Sequence, residues 1–165
     1  MVQRIIERQV KIEVDQERFN PLAIFVEGTT SNGSCLLPFK RGAFASMRTV
    51  IPCFVTFENG QINPFYDSVQ VLPLLALLFS NLQICRCTFT ILPEFVPTSH
   101  MLEIHGDKGK EAWEIFAWCV RDVTSKHSGL PKDDESSFRL KRQYCDFMQG
   151  KVDQVEIDGQ TYRYS

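Results

Sequence analysis

Residues 22–44, LAIFVEGTTSNGSCLLPFKRGAF, join a short apolar run to a polar loop that contains glycine. The run Leu22–Val26 is continuous and apolar, which is typical of a buried parallel strand. It ends at Glu27 and Gly28, where the loop begins. Because loops at the carboxyl ends of parallel strands usually carry the ligands, this loop is predicted to be the functional centre of the chain.

Hydrophobic periodicity elsewhere in the chain predicts helices and strands in alternation. The apolar stripe that follows Lys108 is the clearest helix, with Asp107 as its predicted cap and Gly129 at its stop. Runs rich in β-branched and aromatic residues predict strands. The predicted helices cover 2–17, 38–47, 108–128 and 138–149, and the predicted strands cover 22–26, 50–57 and 84–92.

This alternation predicts an α/β domain with a mostly parallel sheet flanked by helices. Residues 1–131 are assigned to that domain. Residues 132–165 are assigned to a C-terminal tail with a short basic helix and a hairpin, because Asp158 and Gly159 form a strong turn signal between alternating residues. A length of 165 residues, 44% of them hydrophobic, suits one domain with a sizeable core.

The overall charge of the chain argues against one class of partner, nucleic acid. A formal net charge of −2 gives no global basic field, so binding to nucleic acid through counterion release is not expected. Any site for an anion must therefore be local.

The six cysteines lack the dense spacing of a small secreted scaffold, and reduced thiols are expected. Cys85 and Cys87 form a C-x-C pair, which a strand would place on one face, as a metal site requires. A matching Cys or His pair at ligand spacing is missing elsewhere in the sequence. We therefore predict two buried apolar thiols and no metal.

The longest apolar run, from Val69 to Phe79, is about half the length needed to cross a bilayer. It is interrupted by Gln70 and Pro73. Two interpretations stay open for this run: a segment buried in the core, or a segment in contact with a membrane surface.

The loop partly matches a nucleotide-binding motif, because Gly28 and Gly33 stand at the spacing of a phosphate-binding P-loop just after a predicted strand. That motif continues with Lys, which reaches the terminal phosphates, and with Ser or Thr, which binds magnesium. Here Ser34 and Cys35 occupy those two places. The departure argues against a nucleotide-hydrolysing P-loop.

The whole run EGTTSNGSCLLPFKRGAF, followed by VIP at 50–52, resembles the lysophospholipid acyltransferase family, which includes glycerol-phosphate and lysophosphatidylcholine or lysophosphatidylethanolamine acyltransferases. In that comparison Glu27, Gly28 and Thr29 match the third motif, 39–44 matches FK-x-GAF, and Pro52 matches the fourth motif. The resemblance implies a partial glycerolipid acyltransferase domain. It also implies acyl transfer from acyl-CoA, a co-substrate, to a lysophospholipid in phospholipid synthesis or remodelling, with no bound cofactor.

The residue types in the loop suit such a substrate. Gly28 lets an anionic head group approach the backbone, and Glu27 can accept a hydrogen bond from a glycerol hydroxyl. Lys40 and Arg41, in the first turns of the next predicted helix, can neutralise a phosphate. The predicted substrate-binding residues are Glu27, Gly28, Thr29, Thr30, Asn32, Gly33, Lys40, Arg41 and Pro52.

Position 30 bears on the choice of substrate. Glycerol-phosphate enzymes of the family often have EGTR, whose arginine holds a phosphomonoester, whereas this chain has Thr30. The resemblance therefore favours a lysophospholipid. It also implies a membrane-associated protein, at the endoplasmic reticulum, with the site facing the cytoplasm.

The general base of the family is missing from the sequence. In the family this base is the histidine of H-x-x-x-x-D, and none of the three histidines of this chain has Asp five residues later. The arginine-bearing second motif is also absent, so no catalytic residue is assigned. Either the chain is the C-terminal part of a longer enzyme's catalytic domain, which we expect, or it is a relative that binds lipid without turnover.

Overall fold

The computed structural model describes residues 2–15, 19–58, 71–80, 86–135, 138–157 and 159–163. Two short 3-10 turns lie at Arg41–Ala43 and Gly106–Lys108. The helices are α1 Val2–Val14, α2 Val71–Ser80, α3 Ser99–Ile104, α4 Ala112–Ser128 and α5 Phe138–Met148. The strands are β1 Cys53–Glu58, β2 Arg86–Ile91, β3 Gln154–Ile157 and β4 Gln160–Arg163.

The strands form two antiparallel pairs in the described part of the chain. β1 pairs with β2 from Cys53 opposite Ile91 to Glu58 opposite Arg86, and β3 pairs with β4 as a hairpin. The mixture of helices and strands confirms the α/β composition, but the mostly parallel sheet is not formed by the described residues. The last residue of β1, Glu58, lies opposite the first residue of β2, Arg86. The two strands therefore run in opposite directions.

The predicted strand at Leu22–Val26 is wrong. These residues have no regular secondary structure, and Phe25 is 94% exposed. A buried strand needs a neighbour to bond its backbone N–H and C=O groups, and no strand of the described residues lies beside this run. The carbonyl of Val26 is instead bonded by the backbone N–H of Lys40, at 2.7 Å.

The helix predicted from Pro38 to Met47 is reduced to the 3-10 turn at Arg41–Ala43. Lys40 is extended, with φ −90° and ψ 153°, because its N–H is committed to Val26. Met47 has a positive φ of 49°, which an α-helix does not allow. The turn serves to place Phe44 in the core.

Helix α4 confirms the clearest prediction and carries the core. Its N-terminus is closed by a capping box between Glu111 and Glu114, so the predicted cap Asp107 is wrong. Its C-terminus ends at Gly129, whose φ of 73° is left-handed. Phe116 of α4 is fully buried, and its ring lies edge-on to that of Phe44, with 5.3 Å between centroids.

At the surface, the structure decides against one of two open interpretations and contradicts one prediction. None of the residues of α2 is buried, so the core interpretation of the run Val69–Phe79 is wrong from residue 71 onward, and residues 69 and 70 lie outside the described residues. Cys87 is exposed rather than buried, and Cys85 is outside the described residues. The described residues contain no cluster of three or more metal-binding side chains. None of their helices has both the length and the apolarity to cross a bilayer.

Arg121, a buried arginine of α4, contacts residues before and after the domain boundary predicted at residue 131. The side chain of Arg121 is 4% exposed, and its guanidinium donates to the carbonyls of Leu36, at 2.6 Å, and Asp133, at 2.8 Å. It also pairs with the carboxylate of Asp134. The backbone of Leu36 bonds Pro131 and Asp133, in a parallel bridge centred on residue 132. The end of the loop is thus fastened to the segment that follows α4.

Replacing Arg121 by Met is expected to lower the free energy of unfolding by about 3 kcal/mol, because two carbonyls lose a buried donor. Urea unfolding monitored by circular dichroism measures the change. The matched control is Asp134→Asn, which should cost less than about 1 kcal/mol because the carboxylate is largely solvated, with 78% of the side chain exposed. Equal costs for the two variants would contradict the anchoring role of Arg121.

Candidate substrate-binding site

The entry to the loop is a tight turn that depends on Gly28. Its φ is 69°, in the left-handed region, and its N–H donates to the carbonyl of Phe25 at 3.3 Å. A Cβ at this position would lie 3.3 Å from Cγ of Lys40. The stem of Lys40 therefore packs against the bare backbone of Gly28, and the structure brings these two predicted residues together.

The carboxyl group of Glu27 is partly withdrawn from water beside this turn. Burial raises its pKa above the usual 4.5, while the backbone N–H of Leu37 and the Arg121 guanidinium partly oppose the shift. The carboxyl group thus has one donor and one positive charge on the protein side. Such a group can accept a hydrogen bond at the start of the loop.

The predicted pair of cations is separated by the fold. Lys40 is exposed and forms no ion pair with any of the described residues. Arg41 faces α4, where its guanidinium lies 4.0 Å from the Glu111 carboxylate and 5.9 Å from the centre of the Trp113 ring. Lys40 therefore stays beside Gly28, whereas the charge of Arg41 is shared with the N-terminus of α4.

Asn32 and Gly33 build the turn at the tip of the loop. The side-chain oxygen of Asn32 accepts hydrogen bonds from the backbone N–H of Ser34, at 3.1 Å, and from its hydroxyl, at 2.7 Å. Gly33 has a φ of 75°, and its N–H donates to the hydroxyl of Ser31 at 3.3 Å. These two predicted binding residues shape the backbone of the loop.

Thr29 and Thr30 form the middle of the loop, and a residue from far along the chain contacts them. The hydroxyl of Thr29 donates to the Thr30 carbonyl at 3.3 Å. The ammonium of Lys141, on α5, donates to that same carbonyl and to the Thr30 hydroxyl, the latter at 3.0 Å. Sequence reasoning missed both Lys141 and Arg121, because neither belongs to a motif; the basic character of helix 138–149 was the one available signal.

Pro52 lies apart from the loop, at the base of the β1–β2 pair. It is buried, and its carbonyl accepts a hydrogen bond from Leu92 at 2.9 Å. Val26 and Val50, close in sequence to the two motifs, pack against the same core cluster around Phe116. The contacts of Pro52 are those of the strand pair, and its place in substrate binding stays a prediction.

Comparison with known proteins gives relatives but no template. No family model matches the chain, and no solved structure matches it. A lysophosphatidylcholine acyltransferase of Drosophila melanogaster is 32% identical over 118 residues, which are 70% of this chain and 20% of the relative. Lysophosphatidylcholine acyltransferase 2 of Homo sapiens is 28% identical over 117 residues, again 70% and 20%. The lysophospholipid acyltransferase LPEAT1 of Arabidopsis thaliana is 31% identical over 138 residues, 81% and 31%.

The chain spans between a fifth and a third of the length of these relatives. The animal and plant proteins carry the same kind of name, and each match covers 70% or more of this chain. The resemblance seen in the motifs at Glu27–Thr29 and 39–44 is therefore confirmed: the chain belongs to the lysophospholipid acyltransferase family.

Proposed function

We propose that this chain supplies the substrate-binding part of an acyltransferase that moves an acyl group from acyl-CoA to a lysophospholipid in phospholipid synthesis or remodelling. The observation that carries the proposal is that one glycine turn brings together a partly buried carboxyl group, Glu27, and a cation, Lys40, whose stem packs against Gly28. The names of the relatives support the same substrate class.

The two charged groups have distinct tasks in this proposal. The ionised carboxylate of Glu27 accepts a hydrogen bond from a glycerol hydroxyl, and the backbone N–H of Leu37 and the charge of Arg121 favour this ionised form. The ammonium of Lys40, whose stem packs against Gly28, neutralises the phosphodiester of the head group beside this turn. The lysophospholipid is thus oriented before the acyl group is transferred.

The transfer step needs a base that these residues do not provide. The glycerol hydroxyl oxygen attacks the thioester carbonyl, the hydroxyl proton passes to the base, and the thiolate of coenzyme A leaves. We propose that the base is a histidine outside these 165 residues and that this chain acts as one part of a longer enzyme. We propose that the reaction takes place at the cytoplasmic face of the endoplasmic reticulum, where acyl-CoA is available.

A binding and turnover experiment tests the proposal. Lys40→Ala is expected to weaken binding of lysophosphatidylcholine to this chain about tenfold, because a charge-assisted contact with the phosphate is lost. Fluorescence titration measures the affinity, and Lys11→Ala, an exposed lysine of α1, is the control. Transfer from labelled acyl-CoA is then measured on the protein encoded by the complete reading frame.

Each outcome of that experiment decides between functions. Unchanged affinity in Lys40→Ala would contradict the binding loop. If the complete protein binds lysophosphatidylcholine but transfers no acyl group to it, the protein is a non-catalytic, lipid-binding relative of the family. Turnover by the 165-residue chain alone would contradict the proposal that its base lies elsewhere.

The pKa of Glu27 predicts a dependence of stability on pH. Since burial raises the pKa in the folded state, the folded chain holds this proton at pH values where the unfolded chain has released it. The contribution of Glu27 to stability is therefore full below the unfolded pKa and is lost as pH rises through the folded one. Glu27→Gln should flatten this part of the profile in urea unfolding from acid to neutral pH.

The exposed carboxylate of Glu103, on α3, provides the control for this measurement. Glu103→Gln removes an exposed carboxylate in the same way, so an equal change of the stability profile in Glu103→Gln and Glu27→Gln would contradict the role of burial at Glu27. If the stability of Glu27→Gln parallels that of the parent protein over the whole pH range, the Glu27 carboxyl group is not withdrawn from water.

We further propose that α2 contacts the membrane in which the substrate resides. The helix carries no charged residue, and apolar side chains point outward around it, with Leu72 78% and Phe79 81% exposed. Its length of about 15 Å is half of the hydrocarbon thickness of a bilayer, which suits entry into one leaflet. An apolar surface on every side of a helix favours lipid, which surrounds it, over a single protein groove.

Replacing both Leu72 and Phe79 by Glu is expected to reduce binding to phosphatidylcholine vesicles by about tenfold or more, because two apolar side chains no longer enter the leaflet. Co-sedimentation with the vesicles measures the bound fraction. The control is the double variant Val96→Glu with Ile104→Glu, which places the same two charges on exposed apolar positions outside α2. Binding that persists in the variant of Leu72 and Phe79 would rule out α2 as the contact.

A further inference from the structure

We propose that a concavity between α1 and residues 22–24 is a second lipid site, which binds a single-chain lipid with an anionic head. The ligand is defined by its chemistry: an oxyanion, phosphate or carboxylate, carried on one alkyl chain. The proposal goes beyond the proposed function, because the described lining of this concavity includes no residue of the loop at 27–34.

The wall of the concavity is largely apolar. Its volume is about 410 Å³, and it is open to solvent. Ile5 is buried at its base in α1, whereas Leu22 is 50% exposed. Pockets for small ligands span roughly 300–1,000 Å³, so this volume suits one alkyl chain better than the two chains of a diacyl lipid. The described lining residues are Arg4, Ile5, Arg8, Leu22, Ala23 and Ile24.

The charge of the lining is positive and is not balanced within the described part of the chain. Arg4 and Arg8 are four residues apart and therefore lie on the same face of α1. Neither of them forms an ion pair with a described residue, and no carboxylate is present in the described lining. Guanidinium groups bind phosphate and carboxylate through paired N–H donors, so this excess of charge favours an oxyanion.

Arg8 is held in place by neighbours that leave its charge unpaired. Its guanidinium donates to the carbonyl of Asn20 and lies over the ring of Phe19, with 5.0 Å between Cζ and the ring centre. Nε of Arg8 is buried and has no hydrogen-bond acceptor among the described residues. A buried donor without an acceptor is unfavourable, and an oxyanion bound at Arg8 supplies one. Because the side chain is already ordered, binding has a lower entropic cost.

The combination of charge and apolar surface selects an amphiphile. Inorganic phosphate would contact the two arginines but would leave Leu22 and its neighbours in water. A neutral alkyl chain would cover the apolar wall but would not meet the charge. A lipid anion does both, and its alkyl chain contributes to binding in proportion to the apolar area that it covers.

The test uses the whole 165-residue chain, labelled with ¹⁵N, and dodecyl phosphate below the concentration at which it forms micelles. NMR follows the backbone amides of Ile5, Ala23 and Ile24. Arg4→Gln is expected to weaken binding about tenfold, because one charge-assisted contact is lost. The matched control is Arg163→Gln, which removes an exposed arginine of β4 and should keep the parent affinity.

Two ligands and one variant separate the contributions of charge and chain. Dodecyl maltoside keeps the alkyl chain without the charge, and inorganic phosphate keeps the charge without the chain. Each is expected to bind about tenfold or more weakly than dodecyl phosphate. Ala23→Leu fills the apolar wall and should weaken binding of dodecyl phosphate. Dodecanoate, titrated in parallel, shows whether a carboxylate or a phosphate is the preferred head.

The outcomes that would overturn the proposal are distinct from those that would overturn the proposed function. Equal affinities of the parent protein and Arg4→Gln, or equal affinities for dodecyl maltoside and dodecyl phosphate, would contradict a site for a lipid anion. Shift changes confined to residues 27–34 would also contradict it, because they would place the ligand in the loop. Lys40→Ala should leave the affinity for dodecyl phosphate unchanged, whether or not the complete protein transfers acyl groups.

Discussion

The buried guanidinium of Arg121 is the interaction on which the candidate site depends. The guanidinium donates hydrogen bonds to the carbonyl of Leu36, at the end of the loop, and to that of Asp133, after α4. It also forms an ion pair with the exposed carboxylate of Asp134. A buried charge of this kind is stabilised when its donors are used. Its two terminal nitrogens bond partners along two separate stretches of chain, whereas Nε has no hydrogen-bond partner among the described residues. The same charge favours the ionised form of Glu27. One side chain thus links the core helix, the loop and the tail.

The loop itself is stabilised mainly from outside. Gly28 and Gly33 both adopt left-handed backbone conformations, and the tip is bonded locally, from Gly33 to Ser31 and from Ser34 to Asn32. Burial of Glu27 opposes its ionisation, so the carboxylate that suits substrate binding is held at some expense of stability. Such a loop keeps its shape because α4 and the segment 131–134 hold its ends.

The charges around the loop come from distant parts of the sequence. Lys40 lies beside Gly28, while Arg41, its neighbour in sequence, turns to Glu111 and Trp113. Lys141 reaches Thr30 from α5. The tail from 132 onward therefore contributes to the surroundings of the loop, and a division of the chain at residue 131 separates residues that are in contact.

The sequence by itself determined the elements whose signals are local. Periodicity predicted α1, α4 and α5, β-branched runs predicted β1 and β2, and the left-handed Gly159 confirms the turn signal of the hairpin. The motif at 27–29 and 39–44 was sufficient to identify the family. These features were readable because capping, periodicity and turn chemistry act over a few residues.

Only the tertiary structure decided which strands pair, which predicted elements fail and which charges meet. Leu22–Val26 is apolar enough for a strand, but a strand forms only where a neighbour bonds its backbone. Lys40 is extended because Val26 takes its N–H, a bond across 14 residues that no local pattern records. Arg121 and Lys141 act through contacts across 85 and 111 residues. Side chains interact with residues that are close in space, and only the folded structure determines which residues these are.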